Sequence, residues 1–78
     1  MNFFKYKRYN LFCENIKVAE VCRSIETPFY IYSQNAIINN YKKISRLLKG
    51  ANTVIAYSVK ANSNLSILKI LHPLLVIY

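Results

Sequence analysis

With 78 residues and a net charge of +8, from 11 Lys and Arg against 3 acidic residues, the chain is at most one small domain. Apolar residues make up 54% of it, a rich core composition for a length that buries only roughly 60–65% of its unfolded surface. Two cysteines, Cys13 and Cys22, and a single His72 exclude a disulfide framework and a multi-ligand metal site; no run reaches the ~20 apolar residues that cross a membrane.

The N-terminus "MNFFKYKRYN" has no long apolar segment and is not expected to act as a signal peptide. Together with the sparse cysteines, this predicts a reduced, cytoplasmic protein. The stretch "NFFKYKRYNLFCEN" reads as two short strands around a polar turn without glycine. Phe3, Phe4 and Tyr6 precede the turn, and Leu11, Phe12 and Cys13 follow it. Val18, Val21, Cys22 and Ile25 then recur at i, i+3, i+4, i+7, the stripe of a short helix. Thr27-Pro28 ends that helix, because a residue before proline avoids the helical region. "FYIY", Phe29 to Tyr32, is aromatic and β-branched and reads as a strand.

Ser33 is a candidate N-cap for the clearest helix in the chain. Ile37, Ile38, Tyr41, Ile44, Leu47 and Leu48 form its apolar face, and Gly50 suits the position just past its end. Lys42, Lys43, Arg46 and Lys49 lie off that face and read first as a solvated surface. "NTVIAYSVKA" is a further strand, with Val54, Ala56, Ser58 and Lys60 on one side and Ile55, Tyr57 and Val59 on the other. Both sides are largely apolar, the signature of a parallel strand covered on both faces. Asn62 or Ser63 would cap a last helix carrying Leu65, Leu68, Ile70 and Leu71, which Pro73 ends. A buried strand followed at once by a helix is the repeating unit of an α/β fold. Such a strand needs neighbours on both edges, so the chain is expected to be incomplete.

Lys60 stands out. A charged amine at the end of an apolar strand is costly unless it reaches water or is paired. One reading is a lysine that snorkels to solvent. The other is a nucleophile that attacks a carbonyl, at the strand end where barrel enzymes carry their chemistry. An ordinary lysine has a pKa of about 10.4, so only about one in 2,500 is neutral at pH 7. A nucleophilic role therefore needs help from its surroundings.

"YSVKANSNLSIL" resembles the cofactor-lysine segment of the diaminopimelate decarboxylases, which belong to the pyridoxal-phosphate enzymes with an alanine-racemase-like barrel. "LFCENIKVAEVCRSIETPFYIYSQNAIINNYKKI" matches the opening of that family in order: a strand with Leu-Phe-Cys, a helix, Thr-Pro-aromatic-Tyr-Ile-Tyr, and a second helix. The likeness spans roughly residues 3 to 71. Alanine racemases share "VKAN" but usually follow it with Tyr-Gly, where this chain has Ser63-Asn64-Leu65; ornithine decarboxylases usually carry Cys in place of Ala61.

The resemblance implies an α/β fold: the first part of a pyridoxal-phosphate-binding TIM-type barrel, left incomplete. It implies N-terminal strands and a lead-in helix over 1–32 that contribute to a β-rich domain, the start of the barrel over 33–71, and a divergent tail over 72–78. It implies a carboxy-lyase that converts meso-diaminopimelate to L-lysine and CO2, with Lys60 as the catalytic and cofactor-binding residue holding pyridoxal phosphate as an imine. The expected partners are a small amino-acid substrate and, for the full-length family, a second copy in a homodimer, with no nucleic acid, membrane or metal. "HPLLVIY" departs from the family, as a frame disruption would make it depart, and the isolated chain is expected to be inactive. The alternatives are a fragment of an ornithine decarboxylase or alanine racemase type, or a small basic nucleic-acid-binding protein, whose binding would fall steeply with salt. The bias toward Ile, Asn, Lys and Tyr, all with A/T-rich codons, accounts for part of the basicity without such a partner.

Overall fold

The computed structural model describes residues 2–77. The chain divides into two compact units, one up to Ile37 and one from Ile38 onward.

The first unit opens with a three-stranded antiparallel sheet in the order β1-β2-β3. β1 (Phe4–Lys7) pairs with β2 (Asn10–Cys13), and β2 pairs with β3 (Ile16–Lys17). The first turn is Arg8-Tyr9, with φ of 50° and 70°. Two positive φ values in a two-residue loop match the right-handed twist of a hairpin, a geometry that usually recruits Asn-Gly. Here an Asn10 side-chain amide donates to the Arg8 carbonyl at 3.2 Å and helps hold it. The second turn, Glu14-Asn15, also starts at positive φ, 55° at Glu14. β3 was not foreseen from the sequence, since two residues are too few to show a period.

α1 (Val18–Ser24) follows β3 and packs on β2 and β3. It stops at Ser24, three residues before Thr27, with Ile25 already extended. Phe29 to Tyr32 is not a strand. The segment keeps the two-residue alternation, with Phe29 and Ile31 half-buried and Tyr30 and Tyr32 exposed, but no strand pairs with it among the described residues. Strand propensity is local, whereas a strand also needs an edge to pair with. Cys13, in the central strand, is buried.

α2 (Gln34–Leu47) begins in the first unit, and the division between units falls within it. Ser33 Oγ accepts from the Ala36 N–H at 3.0 Å, the N-cap bond expected of it. Gly50 adopts φ 89° just beyond the helix, the left-handed conformation that glycine takes without steric cost.

The second unit contains a βαβ element. β4 (Ala56–Tyr57) and β5 (Val76–Ile77) pair in parallel, joined through α3 (Leu65–Leu71). Ile67 and Leu71 of α3 are its buried side chains. Two expectations need correction. The strand is shorter than 52–61 and is covered on one face only: Val54, Ala56, Ser58 and Lys60 are exposed, and Ile55, Tyr57 and Val59 are half-buried. The cap of α3 is Asn64, not Asn62 or Ser63, because the strand ends at Tyr57 and residues 58–63 form the turn before the helix. Within the 72–78 segment, Val76 and Ile77 supply a parallel neighbour for β4. Pro73 does lie just past the end of α3. The architecture is α/β, with a small antiparallel sheet and a separate parallel pair.

Candidate functional site

Lys60 lies three residues beyond Tyr57, past the C-terminal end of β4, and is exposed. The sequence posed a conflict between its charge and an apolar strand. The structure resolves it: the strand ends before the lysine, and the amine reaches water.

The backbone around Lys60 is tied down by local bonds. The Tyr57 hydroxyl donates to the Asn62 carbonyl at 2.9 Å, linking the strand to the turn beyond Lys60. The Ala61 N–H donates to the Ser58 carbonyl at 3.1 Å, closing the turn that carries the lysine. Asn62 Oδ1 accepts from the Asn64 N–H at 2.9 Å, a side-chain mimic of a backbone turn. Asn64 Oδ1 then caps α3, accepting from Ser66 N–H at 2.9 Å and Ile67 N–H at 3.4 Å. Each Asn acts through a short amide that competes well for nearby backbone donors.

Pyridoxal phosphate asks a protein for an amine to meet its aldehyde and for groups that anchor its phosphate and tune its ring. Lys60 Nζ fits the first need: a primary amine, open to solvent, at the end of a parallel strand. The N–H groups of Ala61, Asn64, Ser66 and Ile67 are already engaged in the turn and cap, so they do not form a phosphate cradle. The turn thus presents a solvent-open primary amine and, among these N–H groups, no anchor for a phosphate.

A groove of about 560 Å³ in the second unit lies elsewhere. Tyr41, Leu48, Ile55, His72, Leu74 and Val76 are among its lining residues, which places it at the N-terminal ends of β4 and β5. Lys60 is at the opposite end. Among the described residues, no group of His, Cys, Asp and Glu side chains could hold a metal ion, and no helix is long and apolar enough to cross a membrane.

A second polar cluster, in the first unit, escaped the sequence reading. Glu14 Oε2 accepts from the buried Ser33 hydroxyl at 2.7 Å and from the Asn35 N–H at 3.2 Å, and Oε1 accepts from the Asn35 side-chain amide at 2.6 Å. The Ser33 hydroxyl, then the Asn35 backbone, hold the Glu14 carboxyl below its ordinary range, with the Asn35 side chain adding to them. A helix N-terminus attracts a negative charge for the same reason, since its first N–H groups are unpaired. One signal was present. Ser33 is a cap whose box partner should be Glu or Gln three residues on, and Ala36 stands there instead. The carboxylate comes from 19 residues upstream. It also raises the pKa of the neighbouring Cys13 thiol, second to the effect of burial.

Set against known proteins, the chain is 36% identical over 66 residues to a probable chloroplastic diaminopimelate decarboxylase of Oryza sativa subsp. japonica, a match covering 83% of this chain and 14% of that protein. It is 37% identical over 59 residues to a diaminopimelate decarboxylase of Neisseria meningitidis serogroup B, covering 76% and 14% of the two. It is 34% identical over 71 residues to that of Pseudomonas fluorescens, covering 91% and 17%. The chain therefore spans about a sixth or less of the length of these curated relatives. No protein-family model and no solved structure matches it.

Proposed function

We propose a function from one premise: the chain belongs, by sequence, to the diaminopimelate decarboxylases. On this reading it is the N-terminal part of an enzyme that converts meso-diaminopimelate to L-lysine and CO2. Lys60 is the residue that would hold pyridoxal phosphate. The observation that carries the reading is an exposed lysine just past the C-terminal end of a parallel strand that leads into a helix. That is the address at which barrel enzymes keep their reacting groups.

When bound, pyridoxal phosphate supplies an electron sink for the loss of a carboxylate. The chain's own part is smaller. β4 sets the height of Lys60, and the Ala61-to-Ser58 turn bond fixes where its backbone leaves the strand. The β1–β3 sheet belongs to the β-rich domain of this proposed enzyme, and the second unit begins its barrel. The phosphate anchor, the acid facing the pyridine nitrogen and the substrate-binding groups come from polypeptide outside these residues. By themselves, residues 1–78 do not decarboxylate diaminopimelate. The whole enzyme works as a homodimer in the cytoplasm, or in a plastid where a plant relative is chloroplastic by name.

A chimera tests this. Residues 3–71 replace the matching stretch of the Neisseria meningitidis enzyme, and CO2 release from diaminopimelate is followed. The chimera is expected to decarboxylate, and Lys60→Ala within it is expected to abolish both turnover and covalent retention of the cofactor. A folded Lys60→Ala chimera that still retains cofactor covalently would defeat the assignment.

A further inference from the structure

We infer that Tyr57 and Asn62 are positioning residues that hold the Lys60 backbone in a fixed exit geometry from β4. The inference deepens the proposed function and rests on Lys60 being the cofactor lysine.

The lysine leaves the strand on a short turn, with the strand before it and the Asn62–Asn64 corner after it. Beside the Ala61-to-Ser58 turn bond, two further bonds hold that span. The Tyr57 phenol crosses to the Asn62 carbonyl at 2.9 Å, so strand and corner are clamped on either side of Lys60. The Asn62 amide oxygen takes the Asn64 N–H at 2.9 Å and passes the chain on to the α3 cap. Tyr57 is half-buried, which keeps its ring fixed while Lys60 remains exposed. The geometry separates two tasks that a flexible side chain cannot perform together. Lys60 keeps its own freedom to reach an aldehyde, and its Cα is held by the hydrogen bonds of its neighbours. Holding one reactant in place removes orientational entropy from the bimolecular step.

The test uses the 78-residue chain with pyridoxal phosphate as the probe. Borohydride traps the cofactor on amines, and mass spectrometry compares labelling at Lys60 with labelling at the exposed Lys49 and Lys69 in the same molecule. The wild-type chain is expected to label Lys60 preferentially. Tyr57→Phe removes one hydroxyl and is expected to lower the Lys60-to-Lys69 ratio about threefold to tenfold, the range that one neutral hydrogen bond spans. It is also expected to shift the visible band of the bound cofactor and to speed hydrogen exchange at the Ala61 amide. Simple loss of folded protein would weaken that band without moving it.

A folded Tyr57→Phe chain with an unchanged ratio and an unmoved band overturns the inference. A wild-type chain that labels Lys60 no better than Lys69 also overturns the inference, because the clamp then gives that amine no advantage; the cofactor-lysine reading is tested separately, by the Lys60→Ala chimera. If Tyr57→Phe unfolds the chain, Asn62→Ala leaves the phenol and its carbonyl partner in place and opens only the Asn64 turn. It is expected to lower the same ratio, and an unchanged ratio again overturns the inference.

Discussion

The two units solve the same problem differently. All three acidic residues of the chain, Glu14, Glu20 and Glu26, lie in the first unit, and the second has none against Lys42, Lys43, Arg46, Lys49, Lys60 and Lys69. The first unit uses one of its acids internally: Glu14 joins the β2–β3 turn to the start of α2 through Ser33 and Asn35. The second unit relies on apolar contact, and much of its apolar surface stays open. Leu47, Val54 and Leu65 are 80%, 77% and 67% exposed. Under the proposed function these are faces against which the rest of a barrel packs. The difference teaches that 54% apolar residues do not make a closed core when the elements that would face each other are few.

The largest expected effect tests whether the second unit has a core at all. Leu71 is 5% exposed, the most buried apolar side chain described. Leu71→Ala is expected to cost about 2–4 kcal/mol, the usual loss for a buried leucine, read as a lower urea midpoint. A cost no larger than that of Leu65→Ala, on the exposed side of the same helix, would break the distinction between α3's two faces.

A smaller effect, opposite in sign, sharpens the picture of the first unit. Tyr9 is 99% exposed and sits at φ 70°. Tyr9→Gly removes the clash between Cβ and backbone that this region imposes and is expected to stabilise the hairpin by about 1 kcal/mol. Thermal melting of the wild-type and variant chains measures it, and a lower melting temperature would count against the turn geometry.

The smallest effect depends on pH. The Glu14 carboxyl titrates below its ordinary value of 4.5 in the folded chain. A carboxyl depressed by folding stabilises the fold above its unfolded pKa, and that stabilisation is lost as pH falls through the folded one. The first unit is therefore expected to weaken as the pH drops below about 4.5, and Glu14→Gln to flatten this acid limb while the second unit, lacking acids, is unaffected. The Asn35 amide shift, followed by NMR through an acid titration, reports it. A titration identical in Glu14→Gln and wild type would remove Glu14 from the comparison.

Local order determined what the sequence alone could tell. The first hairpin, α1, α2 with its Ser33 cap and Gly50 stop, and a strand before α3 are written in spacings of two to four residues and in caps. Lys60 is singled out the same way, from its position after an apolar run and from the residues around it. Only the tertiary structure decided the remaining features, because each depends on a partner distant in the chain. Phe29–Tyr32 has strand composition but no edge to join. Val76–Ile77 has little to distinguish it until β4 lies beside it. Glu14 looks like an ordinary turn acid until Ser33, 19 residues later, donates to it. Periodicity encodes which face of an element is apolar, whereas pairing and buried polar bonds are set by which elements meet, and that is a property of the folded chain.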